Sequence, residues 1–413
     1  MHKKTIRDID VQGKTILARL DWNVPVEDGQ VVDPYRIEST RETLTYLWER
    51  DCKIIITSHM GRPDGQPNPK YSLKPAAEKA AELFHRPVTF VPDCIGPQVN
   101  EAVAAMKPGD MICLENVRFH PEEEENNRAF AKQLASCADI FVFDAFASNR
   151  AHASTEGVSH FLPAVAGFLV EKEVNYISGA VDHPHRPLVA VIGGAKISTK
   201  MQILTNLIPK VDSMLLTGPI ANTFAKVQGL AIGKSVIEEG LDHEVLKLLA
   251  IAKKANTRLR IPHQVTVSQK LDGPSHVRDA RLGTIDPDTG ATTPGDVAND
   301  EYIVDAAPSY ATTLKSEVFD FLDVDKKSTI IWNGPLGITE VPEFREGSKA
   351  MARAIMSIPG ATTIIGGGDT AAFVDEEGWH DKFTWVSTGG GASLELMSGA
   401  GLPCVDALED KDK

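Results

Sequence analysis

Residues 187–200 read PLVAVIGGAKISTK: a continuous apolar run from Leu188 to Ile192 meets the glycine pair Gly193 and Gly194, then Lys196 and Lys200. Five apolar residues without polar alternation suit a strand buried on both faces, as in a parallel sheet. The glycines permit close backbone approach. The two lysines, four residues apart, predict two ammonium groups on one face beside an exposed helix start, an arrangement suited to a polyphosphate. Similar runs recur along the chain: KTILARL (14–20), KIIIT (53–57), DMICL (110–114), DIFVFDAF (139–146), SMLLTG (213–218), STIIWN (328–333) and TTIIGG (362–367). Between them lie stretches of helical period, namely 38–51, 72–84, 126–137, 242–256 and 345–357. Steady alternation of the two patterns indicates parallel β-α-β units.

The alternation breaks once. FLPAVAGFLVEKEVNYISGAV (161–181) reads as one long helix, followed by the stiff tether DHPHRP (182–187). The expected fold is therefore α/β, with two similar-sized domains. Each is an open parallel sheet flanked by helices, doubly wound and Rossmann-like, and a long helix and hinge join them. The expected division is 1–170, a linker at 171–187, and 188–399, with the tail at 400–413 packing back on the first domain. The stretch 270–300, dense in Gly, Asp, Pro and Thr, reads as a long surface excursion, and the EDKDK tail as solvated.

A chain of 413 residues accommodates two such domains. With 43 Lys plus Arg against 57 Asp plus Glu, its net charge of −14 argues against nucleic-acid binding. Apolar residues at 42% and charged residues at 24% exclude a disordered composition. No apolar segment follows Lys3 and Lys4, and no uncharged run is long enough to span a bilayer, so a soluble, cytoplasmic protein is expected. Cys52, Cys94, Cys113, Cys137 and Cys404 are widely spaced, without a C-x-x-C pair or a zinc-type Cys/His spacing, and are read as free thiols.

In open α/β sheets ligands sit beyond the carboxyl ends of the strands. In the first half those positions are rich in cations. RLDWNVP (19–25) carries Arg19, Asp21 and Asn23, and Arg36 opens the next helix. TSHMGRPDG (57–65) carries His59 and Arg62, LENVRFH (114–120) Arg118, and DAFASNRAHAST (144–155) Arg150 and His152. Guanidinium groups gathered from several loops of an acidic protein match phosphate and carboxylate oxygens, so a small phosphorylated acid is expected there. In the second half, the turns at Gly193–Gly194, at Gly366–Gly367–Gly368–Asp369–Thr370 and at Gly389–Gly390–Gly391 all follow strands and open helices. They suit phosphate contact, with Asp369 on a nucleotide-bound Mg²⁺. GLAIGKS (229–235) is one residue short of a Walker A loop and follows no strand. GGGDTA (366–371) fits G-x-G-x-x-A, but the next strand, KFTWVST, ends without a ribose-binding carboxylate, leaving a NAD-dependent dehydrogenase as a weak alternative.

Taken together, RLDWNVP, SHMGRPDGQPNPKYSL, LENVRFHPEEE, VFDAFASNRAHAS, GGAKISTK, IWNGPLG, IIGGGDTA and STGGGASLEL resemble the phosphoglycerate kinase family, in order and over nearly the whole chain. The resemblance implies reversible phosphoryl transfer between 1,3-bisphosphoglycerate and MgADP, giving 3-phosphoglycerate and MgATP in glycolysis. It further implies a monomer that closes about a hinge, near Glu171 and the STGGG turn. By motif, Asp21, Asn23, Arg36, His59, Arg62, Arg118, Arg150 and His152 correspond to the phosphoglycerate site. Gly193, Lys196, Lys200, Gly218, Asn333, Glu340, Gly366, Gly367, Gly368, Asp369 and Thr370 correspond to the nucleotide site. Arg36, Lys196, Gly367, Gly368 and Gly390 correspond to the transfer site. Three departures stand out: Asn149 where the family has a histidine, Thr217-Gly218-Pro219 in place of three glycines, and Ala306-Ala307 in a D-I-G-P-like segment. They leave a catalytically weakened binding protein as the rival reading.

Overall fold

The computed structural model describes residues 1–194, 196–285, 291–320 and 327–412. The chain falls into two compact units, Met1–Asn175 with Gly401–Lys413, and Tyr176–Ala400.

In the first unit six strands form one sheet in the order Thr89–Val91, Met111–Leu114, Lys53–Thr57, Thr15–Leu20, Ile140–Asp144, Ala164–Ala166. Every pairing is parallel. Ile16 to Leu20 and Ile54 to Thr57 are fully inside, as continuous apolar runs require when helices cover both faces. Helix Lys74–Phe84 shows how the covering works: Ala76, Ala77, Ala80 and Phe84 make its buried stripe, and His85 ends it in the left-handed region at φ 52°. The connection reverses side at the first strand, so the crevice beyond its carboxyl end is the switch point where ligands are expected.

The second unit repeats the plan. Its strands run Arg258–Arg260, Ser213–Leu216, Leu188–Ile192, Thr329–Asn333, Thr362–Gly366, Trp385–Val386, again all parallel. In chain order this is 3-2-1-4-5-6, the Rossmann arrangement, with its switch point between Leu188–Ile192 and Thr329–Asn333. Trp332 fills this core completely buried, its Nε1–H donating to the Gly334 carbonyl at 2.8 Å.

Three expectations are corrected. Residues 161–181 are not one helix: Pro163 precedes a short sheet strand, Ala164–Ala166, and the helix starts only at Phe168, running to Asp182. The three apolar residues pair with Phe141–Phe143, a tertiary contact that overrides the local helical pattern. The stretch 270–300 is largely exposed, as a surface excursion would be, but it carries strands of its own. Arg278–Arg281 pairs antiparallel with Gln264–Ser268, which pairs in turn with Tyr302–Ala306, and Gly283–Ile285 pairs with Thr292–Pro294. Val265, Val267, Ala280, Leu282 and Val297 give this ribbon its own small core with Ala225, Leu230 and Ile232; residues 286–290 lie outside the described ones. Nor is the tail merely solvated: Glu409 N–H donates to Ala164, Lys4 N–H to Glu409, and Lys411 N–H to His2, while Lys3 and Lys4 pair with Asp410 and Glu409.

Candidate functional site

The first unit's crevice holds a cation cluster built on a buried support. Arg19, 2% exposed, turns inward: its Nε donates to Ser154 Oγ at 2.9 Å, and Nη2 lies 3.1 Å from His59 Nδ1. Ser154 in turn gives both its N–H (2.8 Å) and its hydroxyl (2.6 Å) to the fully buried Glu123. Burial pushes Glu123 up and Arg19 down, and each is restrained by the other's opposite charge. Arg19 therefore braces the crevice rather than lining it, which corrects its place among the strand-end cations. Nothing in the acidic run EEEE at 122–125 marks Glu123 as the buried one; only its position beneath Ser154 does.

Above this support stand the expected ligands. Arg36 donates to Asp21 Oδ2 at 3.1 Å and to the Asn23 carbonyl at 3.2 Å, so its guanidinium is held in one place. Asn23 Oδ1 accepts the Gly61 N–H at 2.9 Å, and Arg118 Nη1 donates to the Gly61 carbonyl at 2.8 Å, tying three loops together. Gly61 sits at φ 58°, and a Cβ there would fall 2.4 Å from the Tyr71 ring. Arg62 and Arg150 are exposed, with guanidinium groups that have no partner among the described residues. Burial first, then Arg19, Arg118, Arg36 and His152, hold His59 well below its ordinary range; burial, then Arg118, lower His152 too. Arg62 acts on Arg118 and Arg150 on His152, so all the predicted residues share one field. These causes favour the neutral form of both imidazoles beside the arginines.

Asn149 is a different matter. It is 4% exposed, and its Oδ1 accepts the Cys404 backbone N–H at 3.1 Å. This residue thus fastens the C-terminal tail beside the crevice.

At the switch point of the second unit, Lys200 donates to the Gly193 carbonyl and, at 2.7 Å, to Asn333 Oδ1. Burial lowers its pKa to about 8, partly countered by Asp369. The Asn333 amide nitrogen, fully buried, has no acceptor among the described residues, and it lies 2.9 Å from where a Cβ on Gly366 would sit. A buried donor left unmet beside a glycine turn is costly unless a ligand oxygen meets it. Gly367 at φ 88° leads into helix Gly368–Glu376, whose first N–H groups have no intrahelical acceptor. Gly390 caps helix Gly391–Met397, and its carbonyl accepts the hydroxyl of Ser393, which reaches toward Gly366.

Lys196 and Lys200 do not share a helix face. Ser198–Lys200 is a single 3₁₀ turn, the α-helix begins at Met201, and Lys196 is exposed while Lys200 is inside. The Ser198 N–H at the start of this turn donates to Glu238 at 3.0 Å. Two further predicted site residues also hold the local architecture. Gly193 spends its N–H on the Asn333 carbonyl and leaves only 2.4 Å between a Cβ and the Pro335 oxygen. Thr370, fully buried, accepts the Gly334 N–H at 2.7 Å.

Beside this turn opens a cavity of about 300 Å³, lined by Gly218, Pro219, Val236, Ile303, Ala306 and Ile338, with Glu340 and Asp369 at its polar margin. Its apolar walls and few polar groups suit a flat aromatic ring. Of the departures, Gly218, Pro219 and Ala306 line it, whereas Thr217 and Ala307 do not. Pro219 sits in the first turn of helix Gly218–Val227, where a missing N–H costs the helix nothing. Val236 and Ile338, and Val265, Leu282 and Ile303 from the antiparallel ribbon, escaped sequence reading because isolated apolar side chains carry no motif.

The G-x-G-x-x-A reading fails on topology. A dinucleotide fingerprint belongs in the turn after the first strand of the 3-2-1-4-5-6 order, whereas GGGDTA follows the fifth.

Residues 6–400 match the family described as "PGK: Phosphoglycerate kinase". The phosphoglycerate kinase of Moorella thermoacetica is 43% identical and that of Chloroflexus aurantiacus 44%, each over 100% of both chains. Among solved structures, phosphoglycerate kinase from Coxiella burnetii superposes with a TM-score of 0.83 at 35% identity, and that from Pyrococcus horikoshii with 0.77 at 27%, each covering 98% of both chains. With a cation-lined crevice at one switch point, a glycine-framed cavity at the other, a family match over residues 6–400 and relatives aligned over their full length, this chain belongs to the phosphoglycerate kinase family.

Proposed function

We propose that the chain moves a phosphoryl group reversibly between the acyl phosphate of 1,3-bisphosphoglycerate and MgADP, giving 3-phosphoglycerate and MgATP as a step of glycolysis. The observation that carries this reading is the pairing of two unlike crevices on one chain. One gathers Arg36, Arg62, Arg118 and Arg150 around neutral His59 and His152. The other sets an apolar cavity against Lys200, the orphaned Asn333 amide and the Gly366–Gly368 turn. The first fits a small phosphorylated acid, the second a nucleoside polyphosphate.

An acyl phosphate is already activated, and a carboxylate acceptor needs no base, so positioning and charge stabilisation supply the rate. Arg36, fixed by Asp21 and Asn23, bears on the oxygens in flight. The Gly367 and Gly368 N–H groups and the Asn333 amide donate to the same group, and Gly390 supports the turn beside them. Lys196 is an exposed ammonium able to follow the transferring phosphate, and Lys200 supplies charge from below the turn. Glu340 receives ribose hydroxyls at the cavity margin. Asp369, exposed in the first helical turn with no ion-pair partner among the described residues, offers a free carboxylate that would hold the Mg²⁺ of the nucleotide. When bound, that ion neutralises phosphate charge. The donors belong to separate compact units, so transfer requires closure. No helix among the described residues is long and apolar enough to cross a membrane, and a cytoplasmic monomer is the expected form.

The test is a coupled assay: MgATP and 3-phosphoglycerate supplied to the purified chain, with the acyl phosphate trapped by NADH oxidation. Turnover is expected. Binding of 3-phosphoglycerate without turnover would replace the kinase with a binding protein.

A further inference from the structure

Just beyond the strand Thr89–Val91, Asp93 and Cys94 lie beside His120, and a carboxylate oxygen, Sγ and a ring nitrogen all fall within 4.8 Å of one another. His120 Nε2 is 2.9 Å from Asp93 Oδ1, which also accepts the Cys94 backbone N–H at 2.7 Å. Both segments are held. The Glu115 N–H donates to the Asp93 carbonyl at 3.3 Å, Asn116 caps the turn Val117–Phe119 that precedes His120, and the His120 ring packs on Phe130 at 5.2 Å.

The thiol supplies a second, independent observation. Four of the five cysteines donate to backbone carbonyls: Cys52 to Val11 at 3.0 Å, Cys113 to Leu114 at 3.5 Å, Cys137 to Leu134 at 3.0 Å and Cys404 to Arg150 at 3.1 Å. Cys94 is 2% exposed and, among the described residues, its thiol has no acceptor.

We propose that Asp93, Cys94 and His120 form a binding site for a thiophilic divalent metal of the Zn²⁺ type, with water as the fourth ligand. Thiolate, imidazole and carboxylate make a tetrahedral S/N/O set, selective against Mg²⁺, which takes oxygen ligands in octahedral array. The charges balance, because a thiolate and a carboxylate neutralise the dication. On binding, the Cys94 proton passes to solvent, and the proton that His120 shares with Asp93 through Nε2 moves to Nδ1, freeing the nitrogen lone pair. The side chains of His120 and Asp93 are 29% and 43% exposed, which opens the site to the metal and its water, while the sulfur closes it from inside. None of the three belongs to either substrate crevice, so the site stands independently of the transfer reaction.

Co²⁺ titrated into the full chain in excess Mg²⁺ tests it. A thiolate-to-cobalt charge-transfer band should grow to one equivalent and vanish on adding Zn²⁺. Cys94→Ala should abolish the band, and His120→Gln or Asp93→Asn should weaken Co²⁺ binding at least about tenfold, since even outer-shell losses cost that much. A wild type without the band, a band that survives Cys94→Ala, or affinity unchanged in Asp93→Asn would overturn the proposal.

Discussion

At the scale of the residue, the chain separates groups that touch ligand from groups that hold them. Gly193 belongs to the second kind. Gly193→Ala would drive a Cβ to 2.4 Å from the Pro335 oxygen and 2.5 Å from Thr217 Oγ1. A loss of about 1–3 kcal/mol in urea unfolding is expected, as for overpacking elsewhere. Lys200 sits in both kinds. Its folded pKa of about 8 lies below the 10.5 of the free group, so the unfolded chain binds more protons between those values and stability rises with pH across that window. Nucleotide phosphates favour the charged ammonium, so MgADP binding at about pH 8.5 should take up part of a proton. Calorimetry in buffers of different ionisation enthalpy reads that uptake, and Lys200→Met should remove it. GGAKISTK singled out the lysine as a candidate phosphate contact. That it is buried against Asn333 was not legible there, because its partner lies 133 residues away.

At the scale of the element, local pattern sufficed where strands are buried on both faces and failed where tertiary pairing decides. KTILARL and STIIWN announce themselves as central strands. Ala164–Ala166 carries only Ala-Val-Ala, and it becomes a strand because Phe141–Phe143 offers it an edge. The ribbon at 264–306 failed for a related reason: its strands are short, partly exposed and interrupted by Gly and Pro, so neither period develops. Asp144 links an element to its neighbour. It ends the strand Ile140–Asp144, accepts the Val170 N–H at 3.0 Å in the first turn of helix Phe168–Asp182, and burial raises its pKa to about 6. A carboxyl raised above its unfolded value of 3.8 contributes stability in full below that pH and loses it as pH climbs to 6. Asp144→Asn keeps the acceptor without the charge, and it should stabilise the chain at pH 7.5 by up to about 3 kcal/mol, at 1.36 kcal/mol per pKa unit. Urea unfolding at about pH 3 should show the gap closed; a gap unchanged with pH would contradict the assignment.

At the scale of the whole molecule, two doubly wound sheets place unlike chemistry at their switch points, and the eight motifs that marked the family all fall at strand ends. The crevices were thus readable from sequence, whereas their apolar walls and buried braces were not. Closure belongs to this scale: solution scattering should show compaction only with 3-phosphoglycerate and nucleotide bound together, and an unchanged radius would count against it. The central claim is that the first unit's cations act on the group in transfer, and Arg36 is where it is most exposed. Steady-state turnover of Arg36→Ala, set beside its calorimetric affinity for MgADP, tests that claim most directly. A fall in kcat of at least about 10²-fold, the scale set by loss of one preorganised donor, is expected with nucleotide affinity unchanged. Equal losses in both, or turnover near that of wild type, would contradict it.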